Sequence, residues 1–91
     1  MTINDYLRNK SQGIPKTERE EGVLDGYKAM WYMARTVARQ AGGNDYARIL
    51  FRFYVERMFK VYKFREDANS QGRADAFFDV LEILLGRRKN G

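Results

Sequence analysis

The segment from Tyr46 to Phe64 is apolar on more sides than a helix packed against a single core requires. It contains Tyr46, Ile49, Leu50, Phe51, Phe53, Tyr54, Val55, Met58, Phe59, Val61, Tyr62 and Phe64, and it holds seven of the chain's thirteen aromatic residues. A helix with one apolar stripe buries that stripe on its own core, whereas one that is apolar nearly all round must be covered on two sides. In a chain of 91 residues the second cover is most simply another protein. The sequence therefore predicts self-association, as a homodimer or larger oligomer, or binding to a protein partner that it does not identify.

The rest of the chain supplies the frame for that helix. Thr2 and Asp5 open a short N-terminal helix over residues 3–10, and Ser11, Gln12 and Gly13 end it. Pro15 then imposes an extended entry into the next element, with Ile14 as the expected apolar pin of the arm. Thr17-Glu18-Arg19-Glu20 has the form of a capping box. Beyond it Val23, Tyr27, Met30, Ala34, Val37 and Ala41 recur in steps of four and three, the strongest helical pattern present. Gly42-Gly43 stops that helix, and Asn44 is the expected cap of the next, over residues 45–66. Ser70 reads as the cap of a last helix over residues 71–85, with Ala74, Phe77, Phe78, Leu81 and Leu84 inward, and Gly86 ends it. The expected fold is all-α: a three-helix antiparallel bundle over residues 17–86, an N-terminal arm with a short helix over 1–16, and a basic tail over 87–91.

Projected at about 100° per residue, the 45–66 helix has two apolar sides. One gathers Leu50, Phe53, Val61 and Phe64, with Arg57 near its centre, and reads as the side facing the core. Arg57 then either lays its stem on apolar surface with its head in water, or pairs with a carboxylate or phosphate. The other side gathers Phe51, Val55, Phe59 and Tyr62, with Met58 beside them. This second line is the expected interface with a partner or a second copy, extended by Tyr32 and Met33 from the preceding helix. The competing cover for it is the N-terminal arm, through Ile3, Tyr6, Leu7 and Ile14.

Small residues recur at matching places in two helices. Gly22 and Gly26 open the 17–41 helix as Gly72 and Ala76 open the last. An interior glycine costs a helix roughly 0.8–1 kcal/mol against alanine, so a compensating close approach is expected between these helices.

Little catalytic equipment is present. The chain has neither cysteine nor histidine, which removes disulfides, thiolate catalysis, the usual general base and the commonest transition-metal ligand. Asp75, Asp79 and Glu82 fall on one side of the last helix and read as a solvated acidic face rather than a metal site. The expectation is a protein that is not an enzyme and holds no cofactor and no metal. The N-terminus is polar, and no apolar run approaches the roughly 18–20 residues that span a bilayer, so a cytoplasmic protein with no membrane contact is expected.

The net charge is +5. Arg48, Arg52, Lys60 and Lys63, with Arg57 and the tail residues Arg87 and Arg88, are the possible anion contacts. Glu56 interrupts them, so nucleic-acid binding is expected to be weak. A helix-turn-helix reading meets the acidic face of the last helix, which phosphates repel. The leading functional expectation is a homo-oligomeric helical interaction module, an accessory or inhibitor protein of the kind phages and other mobile elements carry, acting on a partner protein. The alternative is a dimeric DNA- or RNA-binding regulator using the basic line and tail. A binder of small anions through Arg57, Lys28 and tyrosines comes last.

Overall fold

In the computed structural model, which describes residues 2–41 and 45–87, four helices hold most of the described residues: α1 (Ile3–Lys10), α2 (Glu18–Ala41), α3 (Asp45–Tyr62) and α4 (Ala68–Leu84). Among the described residues there is no strand. The expected stop at Gly42-Gly43 and the cap at Asn44 lie outside the described residues.

Local chemistry sets the helix ends. Thr2 Oγ1 accepts the Asp5 N–H at 3.1 Å, as the sequence predicts for α1. Thr17 accepts the Glu20 N–H at 3.0 Å, but the Glu20 carboxylate takes the N–H of Lys16 at 2.6 Å, one residue earlier than in a reciprocal capping box. Helix α4 begins three residues before the expected start because Asp67, not Ser70, caps it. The Asp67 carboxylate accepts the Ser70 N–H at 3.0 Å, and that bond holds its carboxyl below the usual carboxylate range. At the other end Gly86 adopts φ +77°, its N–H bonds Ile83 O, and the Arg87 N–H bonds Glu82 O at 2.8 Å. This is the Schellman closure that a glycine just past a helix permits.

Helices α2 and α4 form the most extensive contact, and it runs along the small residues of both. A Cβ built on Gly22 would overlap the carbonyl of Asn69, and one on Gly72 would overlap the carbonyl of Arg19. At Gly26 it would sit 2.8 Å from the Ala76 Cβ. The expected close approach is therefore present, and two ion pairs flank it: Arg19 with Asp75 at 2.8 Å, exposed, and Arg73 with Asp25 at 3.4 Å, half-buried.

The core gathers Leu7, Tyr27, Met30, Phe51, Val55, Ala76, Phe77 and Val80. Helix α1 is pinned by Leu7 and Tyr6, both buried, and not by Ile14, which is 90% exposed. The second pin is polar. The Tyr6 and Tyr27 hydroxyls each donate to Asp79 Oδ2 at 2.5 Å, joining α1, α2 and α4 beneath the surface. The expected solvated acidic face is thus corrected. Asp79 is buried, and only Asp75 stays exposed, paired with Arg19. The physical reason is that a buried phenol needs an acceptor, and Asp79 sits on α4 where both phenols reach it.

Burial, then hydrogen bonding to Asp79, pushes the Tyr27 phenol well above its ordinary value of 10.0. A phenol that stays protonated when folded but ionises when unfolded contributes stability that is full below about pH 10 and is lost as pH rises above it. Urea denaturation of wild type should accordingly show stability falling above about pH 10. Tyr27→Phe should fall less steeply there, while losing about 1.5–3 kcal/mol at neutral pH with its bond to the carboxylate. An unchanged slope in Tyr27→Phe would mean that this phenol does not govern the alkaline limb.

Candidate functional site

Helix α3 carries the surplus apolar surface, and the structure exchanges its two expected faces. Phe51 and Val55 are buried in the chain's own core, and Met58, Phe59 and Tyr62 pack half-buried against it. Their cover is α4. Phe77 receives the edge of Tyr54 at 6.2 Å and stacks on Tyr62 at 5.9 Å between ring centroids, and Phe59 lies 5.4 Å from Phe78. Met33 of α2 also packs against this core. Of these residues, expected as a partner interface, Phe51 and Val55 are therefore interior, Met33, Met58, Phe59 and Tyr62 are half-buried at the edge of the core, and only Tyr32 is exposed, on α2. Phe78, expected inside, is 45% exposed.

The outward face is the one expected to point in. Tyr46, Ile49 and Phe53 are 60%, 52% and 67% exposed, and Phe64, just past the helix end, is 79% exposed. Leu50 and Val61 border them, and Arg57 lies exposed in their midst. Arg57 supplies the physical reason for the exchange. A guanidinium at the centre of a stripe must be paired or kept in water, because an unpaired buried charge costs several kcal/mol. The line Ala47, Phe51, Tyr54, Val55, Met58, Tyr62 carries no charge at all, and this is the line that turns inward. The charge of Arg57 was the sequence signal that bears on this choice, and the rings of Tyr54 and Tyr62 packed on Phe77 complete it.

The radius of gyration is 12.6 Å, against about 12 Å for a folded chain of this length. One copy closes its own core, so the α3 stripe is additional apolar surface rather than an unfinished interior.

The cationic residues frame the stripe. Arg48 and Arg52 are exposed and form no ion pair with a described residue. Lys60 bonds Glu56 at 3.2 Å, and the Lys63 ammonium sits over the Phe59 and Phe64 rings at 5.3 and 4.8 Å. Arg87 reaches Glu82 at 3.8 Å, and Arg88 lies outside the described residues. The structure thus brings Arg48, Arg52, Arg57, Lys60 and Lys63 onto the solvent side of one helix, interrupted by Glu56, and leaves Arg87 on another element.

Among the described residues, no group of three His, Cys, Asp or Glu side chains is placed to hold a metal ion, and no helix is long and apolar enough to cross a membrane. Comparison with protein-family models, curated proteins and solved structures finds no match.

Proposed function

We propose that this protein is a non-enzymatic helical interaction module that pairs with a second copy of itself through the outer face of α3. The observation that carries this reading is the run Tyr46, Ile49, Phe53 and Phe64, exposed on a helix whose opposite side is already buried. An apolar patch kept on a surface in this way marks a binding site. The stripe is also self-complementary. Two copies of α3 laid antiparallel about a two-fold axis level with Val55 set Ile49 against the partner's Val61 and Tyr46 against the partner's Phe64. The same register sets Phe53 against the partner's Arg57, where a ring face meets a guanidinium. Isologous pairing of one patch with itself is the commonest arrangement among homo-oligomers. In this reading each copy is an up–down–up bundle with α1 laid across it, and the pair is an accessory or inhibitor protein that acts by covering a partner's surface. Light scattering on the full chain is the direct test: a chain that stays monomeric at the highest attainable concentration would exclude the pairing.

A second reading has one observation in its favour. The cations of α3 alternate with exposed aromatic rings, the arrangement by which single-stranded nucleic acids are stacked and neutralised. Ile49 and Val61 weigh against it, since neither offers a π face. Glu56 and Asp45 also break the basic track. Fluorescence anisotropy with duplex and single-stranded probes is expected to give constants in the non-specific range, roughly 10⁻⁴–10⁻⁶ M at physiological salt. A sub-micromolar constant surviving roughly 200 mM salt would promote a nucleic-acid-binding regulator over the interaction module, with Arg48, Arg52, Lys60 and Lys63 as its contacts.

A further inference from the structure

At one end of the molecule the start of α1, the end of α2, the start of α3 and the end of α4 surround a cleft of about 970 Å³. Sites for small molecules typically occupy roughly 300–1,000 Å³. Val37, Ala47 and Phe51 line it from the core side and are buried, with Ile3 and Leu84 half-buried next to them. Arg35, Arg39 and Arg48 also line it, and all three are exposed. No carboxylate among the described residues forms an ion pair with any of these arginines. Arg35 is held in place by Trp31: its guanidinium lies 4.2 Å from the indole centroid, and its Nε donates to the Trp31 carbonyl at 3.4 Å.

These two properties select a ligand that has both. A purely apolar occupant would leave three guanidiniums without counter-charge, and a simple anion would leave the apolar wall wet. The chain's own basic end, Arg87 onward, has the wrong sign to fill the cleft. A second copy docked here would set three arginines against three. We propose that the cleft binds a small amphiphilic anion, an apolar chain or ring system bearing one carboxylate or phosphate group. Arg39 and Arg48 grip the head with the planar fork of donors that matches such anions, and Val37, Ala47 and Phe51 bury the apolar body. This site is separate from the outer face of α3 and does not depend on pairing between copies.

The probes are dodecanoate, dodecyl phosphate, 1-dodecanol and inorganic phosphate, titrated below micelle-forming concentrations into the full chain and followed by calorimetry and amide chemical shifts. Dodecanoate or dodecyl phosphate should bind with shifts centred on Val37, Ala47 and Phe51, and whichever binds more tightly identifies the head group. Dodecanol and inorganic phosphate should each bind at least about tenfold more weakly, and the double variant Arg39→Ala/Arg48→Ala should lose at least about tenfold for the anionic probe. Ala38→Trp, at an exposed position of the wall, should abolish binding while the helical circular dichroism is retained. Phe53→Ser should leave binding unchanged, which separates the cleft from the α3 stripe. The proposal is overturned if no anionic probe binds, if dodecanol binds as tightly as dodecanoate, if the arginine double variant binds normally, or if the shifts fall on Ile49 and Phe53.

Discussion

Phe53→Lys is expected to be monomeric under conditions where the wild-type chain is a dimer, with its helical circular dichroism unchanged, because the new ammonium would face the partner's Arg57 in the proposed register. Phe53 projects from the exposed side of α3 and makes no part of the core, so the folded monomer tolerates a charged side chain there. In the paired state a two-fold axis places the substitution at the contact twice. Burying a phenylalanine is worth roughly 1.5–3 kcal/mol, so loss of two such contacts weakens association by at least about 3 kcal/mol, or roughly a hundredfold. Phe51→Glu is the contrasting control. Its side chain lies in the core, and the variant should lose its fold rather than its partner. Salt adds an independent signature. Both copies present Arg48, Arg52 and Lys63 around the stripe, so pairing brings like charges together, and screening that repulsion should tighten the dimer as ionic strength rises. Phosphate-driven binding weakens under the same change. Equal sedimentation of wild type and Phe53→Lys would remove the outer face of α3 as the pairing surface.

Gly72→Ala is expected to destabilise the chain by about 2–3 kcal/mol, although helix propensity alone would make it stabilising by about 1 kcal/mol. The new methyl group would enter the carbonyl of Arg19 and press on the Val23 amide nitrogen at 2.8 Å, both backbone atoms of α2 that no side-chain rotation can move aside. Gly22→Ala meets the Asn69 backbone in the same way. Gly26→Ala meets the Ala76 methyl instead, so its cost should be smaller, while Gly26→Leu should again overpack the crossing by roughly 1–3 kcal/mol. For a domain of this size a loss of 1 kcal/mol lowers the melting temperature by roughly 4–8 °C, so the Gly72→Ala effect is easily resolved by thermal denaturation. A melting temperature raised by Gly72→Ala would show that the α2–α4 crossing relaxes without cost, and propensity would then be the governing term.

Much of the architecture was legible in local pattern. The Thr2 cap, the 3.6-residue rhythm from Val23 to Val37 and the glycine past α4 each act within a few residues, and each appears where the sequence predicts it. The paired glycines were legible too, because a costly residue repeated at the same spacing in two helices calls for a common cause. Boundaries slipped where two caps competed: Asp67 lies three residues ahead of Ser70, and its carboxylate starts α4 earlier. The acidic side of α4 was misread because periodicity treats an aspartate as a surface residue. Only the arrival of Tyr6 and Tyr27 from two other helices makes Asp79 interior.

The candidate interface shows where pattern stops. That α3 carries apolar side chains on two sides follows from its composition, whatever their neighbours are. Which side faces inward is a property of the neighbours. Phe77 offers a ring surface that suits Tyr54 and Tyr62, the glycine-lined crossing fixes where α4 stands, and Arg57 keeps its own stripe in water. By itself the sequence determined the four helices, the two caps that read correctly, the close contact of α2 with α4 and the excess apolar surface of α3. The tertiary structure decided which half of that surface became core, buried Asp79 beneath two phenols, and brought Arg35, Arg39 and Arg48 to one cleft. The physical reason is range. Capping and periodicity act between residues three or four apart, whereas burial is set by whatever the rest of the chain places opposite.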